Sequence, residues 1–79
     1  MDRVISSIRL LPDYVLEVVA AKTGSVIRLQ MKPYLNYPRF LGLQAPAVWN
    51  SATTDGFMVV WPGAAELSFE EIARRVFDY

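Results

Sequence analysis

From Ile27 to Lys32 the chain alternates strictly: Ile27, Leu29 and Met31 are apolar, while Arg28, Gln30 and Lys32 are polar. Successive side chains of a strand point to opposite faces, so a period of two writes a strand with one buried and one wet face. Pro33 ends it, because proline cannot donate to the ladder. Two more strands read upstream. Residues 4–11 carry Val4, Ile5, Ile8, Leu10 and Leu11 with Ser6, Ser7 and Arg9 among them, an imperfect alternation closed by the turn signal Pro12-Asp13. Residues 14–21 are β-branched and aromatic, with Tyr14, Leu16, Val18 and Ala20 expected toward the core and Val15, Glu17 and Val19 toward solvent. Lys22-Thr23-Gly24-Ser25 reads as a hairpin loop, Gly24 allowing positive φ. The three strands form an antiparallel meander.

Such a meander needs a layer over its apolar face, and the last part of the chain supplies one. Ser68-Phe69-Glu70-Glu71 is a capping box, with Leu67 before the cap and Ile72 at the fourth helical position as a hydrophobic staple. Phe69, Ile72, Ala73 and Val76 make one apolar stripe. Glu70–Arg74 and Glu71–Arg75 are i,i+4 pairs in the favourable order, each worth about 0.2–0.5 kcal/mol. Before this helix, residues 53–61 read as a hairpin turned at Asp55-Gly56. Its second arm, Phe57 to Trp61, is continuously apolar and therefore central in a sheet or buried on both faces. Residues 34–51 should hold local structure. Pro38 can open a short helix through Leu43 with Asn36 as its cap, and Pro46 a second turn through Asn50. The expected fold class is α+β: a small antiparallel sheet, meander plus later hairpin, with a C-terminal helix packed on one face. Residues 1–79 form a single domain.

Composition narrows the chemistry. The 79 residues contain no cysteine and no histidine. Disulfides, thiolate nucleophiles and cysteine-based zinc sites are excluded, and the commonest general base is missing. The serines have no histidine to activate them, and no Gly-x-Ser-x-Gly or P-loop run occurs. Eight basic residues balance eight acidic ones, which gives no net attraction to nucleic acid or an anionic membrane. No apolar run reaches the roughly 20 residues of a membrane helix, and the start lacks a signal-peptide plan. A cytoplasmic protein of bacterial type fits these features.

Candidate sites follow from what remains. Asp13 and Asp55 are explained by turns, and no spacing offers the oxygens of a hard-cation site. Glu66, Glu70 and Glu71 cluster where acids complement a helix N-terminus, so capping accounts for them before catalysis does. No catalytic residue, metal ligand or cofactor-binding residue is assigned. Residues 32–40 interleave Lys32, Tyr34, Tyr37, Arg39 and Phe40, a composition that suits base stacking or a protein interface. Leu35 and Phe40 read as core, and Tyr37 and Arg39 as surface. Trp61 ends a buried strand and reads as core, whereas Trp49 lies in irregular sequence and is a hot-spot candidate if exposed. The candidate interaction surface is Lys32, Tyr34, Tyr37, Arg39 and Trp49.

The chain also resembles a bacterial family, domain of unknown function 2442. The stretches that carry the resemblance are Leu11-Pro12-Asp13-Tyr14, Leu16-Glu17-Val18, Met31-Lys32-Pro33-Tyr34-Leu35, then Phe40, Leu43, Trp61-Pro62 and Glu66-Leu67. They run nearly end to end. Members usually carry Pro-Asn-Gly-Ala-Asp after the tryptophan; here the run is Pro62-Gly63-Ala64-Ala65-Glu66. The resemblance implies an α+β fold with a small antiparallel sheet and helices on one side. It implies no established activity, and it points to an antitoxin-like or partner-binding role. The expected function is a protein-binding or regulatory module with a protein partner or as a homodimer, held against a nucleic-acid-associated domain and a small carboxylate-dependent enzyme.

Overall fold

The computed structural model describes residues 2–77. Its first layer is the meander: β1 (Ile5–Leu11), β2 (Val15–Ala20) and β3 (Val26–Gln30), antiparallel in that order. The imperfect alternation of β1 has a local cause. Ile5 pairs with Ala20 and Ser7 with Val19, so Ser6 is an extra residue, a β-bulge. The bulge lets Ile5 and Ile8, three residues apart, both turn toward the core that Leu10 also faces. Without it, one of the two isoleucines would point outward.

The turn from β1 to β2 is tight, and it places Asp13 and Tyr14 in the left-handed region at φ 69° and 60°. Asparagine-like Asp13 tolerates this; a bulky Tyr14 does so only when its surroundings fix it. They do. The Tyr14 carbonyl accepts from Met31 N (2.9 Å), its hydroxyl donates to the Gln44 carbonyl (2.6 Å), and its ring packs edge-on against Trp49 at 5.1 Å between centroids.

The later hairpin is larger than the sequence reading gives it. Thr53–Thr54 (β4) and Met58–Trp61 (β5) are joined by Ala65–Ser68 (β6), which forms a second antiparallel sheet of order β4-β5-β6. β6 runs straight into the Ser68 cap, so the residues before the helix serve as strand and as staple; the reciprocal half of the capping box is not formed, the Glu71 carboxylate being taken by Arg39 and Arg75. The connection at Asp55-Gly56 is longer than two residues. The Asp55 carboxylate accepts from Phe57 N (2.8 Å) and Met58 N (3.0 Å), and these bonds hold its pKa below the ordinary range. β5 is central, as its apolar run suggests, but it is not buried on both faces: Val59 and Trp61 are buried, Met58 and Val60 half-buried. The two sheets meet where Val4 N and Ile5 N both donate to the Gly56 carbonyl, each at 2.8 Å.

The connecting segment folds as short turns: a 3₁₀ turn at Lys32–Tyr34, a 3₁₀ helix at Pro38–Gln44 and α1 (Pro46–Trp49). The proline starts are as expected, but Tyr37 rather than Asn36 precedes the 3₁₀ helix, and no side chain caps it. Proline at the start removes one N–H that would need a partner, which lessens what a cap must satisfy. α2 (Phe69–Val76) begins with the Ser68 hydroxyl accepting from Glu71 N at 3.1 Å, and Leu67 and Ile72 on either side of the cap are fully buried. It packs against β3 and β6. The core joins Leu16, Val18, Ile27, Leu29 and Met31 of the first sheet region to Val59, Trp61, Leu67 and Ile72, with Leu35, Phe40, Leu43 and Trp49 from the connecting turns. Each such side chain contributes about 1.5–3 kcal/mol by leaving water. Among the described residues no helix is long and apolar enough to cross a membrane.

Candidate functional site

The aromatic-basic segment wraps over the start of α2, and Arg39 locks it there. Its guanidinium grips the Glu71 carboxylate with both Nη groups, and Nη2 also donates to the Glu66 carbonyl at 2.9 Å. Bidentate Arg–carboxylate pairs are the stronger, directional kind. The Arg39 hydrogen bond, chiefly, holds the Glu71 pKa below the ordinary glutamate range, with help from Arg75 and against the opposing effect of burial. Glu71 is therefore the shared anchor of two arginines, Arg75 lying 3.2 Å away on the next turn of the helix. The pairing Glu70–Arg74 forms as the spacing predicts, at 3.0 Å.

Arg75 does more than complete a helix pair. Its guanidinium lies over the Tyr34 ring at 4.6 Å and near the Phe40 ring at 5.9 Å. Its Nε is buried without a hydrogen-bond partner, and the cation–π contact with two aromatic faces offsets part of that loss. Arg39 sits likewise over Phe40 at 4.9 Å. Gln44 pins the other end of the segment: its Nε2 donates to the Leu35 carbonyl at 2.8 Å, and its own carbonyl takes the Tyr14 hydroxyl.

This scaffold determines which candidates reach the surface. Tyr37 is 53% exposed, with its back edge against Tyr34 at 6.0 Å between centroids. Its backbone is fixed by N–H donation to the Tyr34 carbonyl and by acceptance from Phe40 N. Leu41, four residues on, is 49% exposed. Lys32 is exposed and 3.7 Å from the more exposed Asp13, a pair of little energetic consequence. Tyr34 is half-buried under Arg75. Leu35 and Phe40 are core, as expected.

Trp49 needs correcting as an exposed hot spot. It is buried, stacked on Trp61 at 5.7 Å, and its carbonyl accepts from Trp61 Nε1 at 3.0 Å. The turn at Pro46 folds the ring inward against Tyr14 and Trp61, so Trp49 belongs to the core. Glu17 also departs from expectation. It lies on the outward face of β2 but is only 5% exposed, because Arg9 and Arg28 cover it from the neighbouring strands, at 3.5 Å and 2.9 Å.

The register arranges that outward face in three rows across the strands. Arg9–Glu17–Arg28 is the middle row, with Ser7–Val19–Val26 on one side and Leu11–Val15–Gln30 on the other. Sequence reading passed over this triad and over the anchoring roles of Glu71, Arg75 and Gln44. A cross-strand register would have exposed the triad, since Arg9, Glu17 and Arg28 fall opposite one another once the hairpins are closed. No local signal marks Gln44. Among the described residues no group of three or more acidic side chains is placed to hold a metal ion. Comparisons with protein-family models, curated proteins and solved structures find no match.

Proposed function

We propose that this chain is a non-enzymatic protein-binding or regulatory module whose contact surface centres on Tyr37 and Leu41, edged by Lys32 and Tyr34. The observation that carries this reading is a half-exposed aromatic on a backbone fixed at both sides. Tyrosine presented without much side-chain freedom to lose is what binding hot spots are made of. The Arg39–Glu71 grip and the Arg75 stack support it, because they hold the platform in one shape before any partner arrives. A cytoplasmic setting and a small two-protein system, in which this chain is the neutralising or regulatory half, fit the family resemblance.

The alternative readings draw less support from this scaffold. For phosphate contact, Arg39 is already committed to Glu71 and to a backbone carbonyl, which leaves Lys32 as the exposed cation of this segment. Carboxylate chemistry needs a group that can hold a proton near neutral pH, and Glu71 is shifted the other way. Site-specific photo-crosslinking tests the proposal. Benzoylphenylalanine at position 37, in native cells, should give one discrete protein adduct competed by unlabelled chain, while the same group at exposed Thr23 gives none. Equal adducts at both positions, or none at 37, would overturn it.

A further inference from the structure

The outward face of the β1–β2–β3 sheet carries a feature that the Tyr37 surface does not explain. At its centre a carboxylate, Glu17, is only 5% exposed and is paired with two guanidinium groups, those of Arg9 and Arg28. Arg28 gives it one hydrogen bond through Nε, and Arg9 a looser ion pair at 3.5 Å. Each guanidinium has five N–H donors, so most remain unused, and the two arginine side chains are 70% and 65% exposed. Two cations on one anion leave the row with a net single positive charge. On either side of it along β2 stand Val15 and Val19, with Val26 exposed beside Val19.

We infer that this face docks a partner protein through a carboxylate of the partner, received between Arg9 and Arg28 and flanked by apolar side chains. Glu17 acts as the fixed template that holds the two guanidinium groups apart and aimed outward. Charge decides the occupant. A second copy meeting the face symmetrically would set two positive rows against each other, which is unfavourable, whereas one acidic side chain neutralises the excess. Geometry sets the flanks. Val15 and Val19 lie two residues either side of Glu17, about 7 Å along the strand. That matches apolar–acid–apolar at alternate positions of a partner β-strand. This inference concerns a different face from the Tyr37 surface and stands or falls separately from it.

The test is nuclear magnetic resonance titration of the full chain with a cyclised β-hairpin peptide displaying valine, glutamate and valine at alternate positions, beside a glutamine control. The expected result is perturbation of the Arg9 and Arg28 Nε–H signals and of the Val15, Val19 and Val26 amides. The glutamine hairpin should bind roughly tenfold more weakly, the loss of one charge-assisted hydrogen bond. Arg9→Gln should weaken the glutamate hairpin by a similar factor; Arg28 still holds Glu17 in that variant, and the dispersion of its free spectrum checks the fold. Tyr37→Ala should leave this titration unchanged, which separates the two surfaces. Equal binding of the two hairpins, no perturbation of the face at millimolar peptide, or concentration-dependent dimerisation mapping to this row would overturn the inference.

Discussion

Arg39→Ala should destabilise the protein by about 1–2 kcal/mol although the side chain is half-exposed. The magnitude follows from the contacts removed. The bidentate pair with Glu71 lies at the protein surface, Arg39 being 47% and Glu71 27% exposed, so solvent screening limits it to about 1 kcal/mol, the upper end for surface pairs. The bond to the Glu66 carbonyl adds roughly 0.5–1.5 kcal/mol. A domain of this size shifts its midpoint by about 4–8 °C per kcal/mol, so a fall of around 5–15 °C is expected. The assay is urea denaturation in a double-mutant cycle with Glu71→Gln, run at low and high salt. The coupling should be about 0.5–1 kcal/mol and should shrink with salt, because only the ion pair is screened. Coupling below about 0.3 kcal/mol at low salt would refute the claim that this pair locks the segment to α2.

Three further outcomes follow from the same contacts. Trp61→Phe should cost about 1–3 kcal/mol in denaturant unfolding, since it removes the Nε1 donor and strands the buried Trp49 carbonyl. Gly56→Ala should destabilise more than Gly24→Ala: a Cβ at Gly56 would sit 2.8 Å from the Arg3 Cβ, whereas one at Gly24 meets nothing within 4 Å and bears only the left-handed backbone penalty of about 1–2 kcal/mol. Glu71 is held below its ordinary pKa, so the unfolded chain takes up its proton first as pH falls. Its stabilisation is complete above the ordinary glutamate range and fades as pH drops through and below about 4–5. Glu71→Gln should therefore flatten the fall in thermal midpoint across that acid window, and an unchanged slope would count against the shift.

The fold was legible wherever one local rule decided it. The alternation of Ile27, Leu29 and Met31, the Ser68 cap and the proline starts at 38 and 46 all operate within a few residues, and they appear as expected. β6 was hidden because Ala65-Glu66-Leu67-Ser68 is too short to show a period, and because its strand character comes from pairing with β5. The bulge at Ser6 hid in an alternation that only looked imperfect. At the site, Tyr37 and Lys32 are surface residues as composition suggests. Trp49 is core and not part of the interaction surface expected from the sequence, because its burial depends on Tyr14 and Trp61, which are distant in sequence. Glu17 lies on the expected face but not in the expected environment, since its ion partners come from two other strands.

The central claim is that a fixed Tyr37 makes this chain a binding module. It is tested most directly by the affinity of purified wild type and Tyr37→Ala for the protein captured at position 37, with the thermal midpoint of each measured alongside. A central aromatic hot spot is worth about 2 kcal/mol, so the variant should bind roughly 30-fold more weakly with its midpoint unchanged, the Tyr37 ring being half-exposed. Equal affinity, or a loss of binding that only follows a loss of folding, would contradict the account.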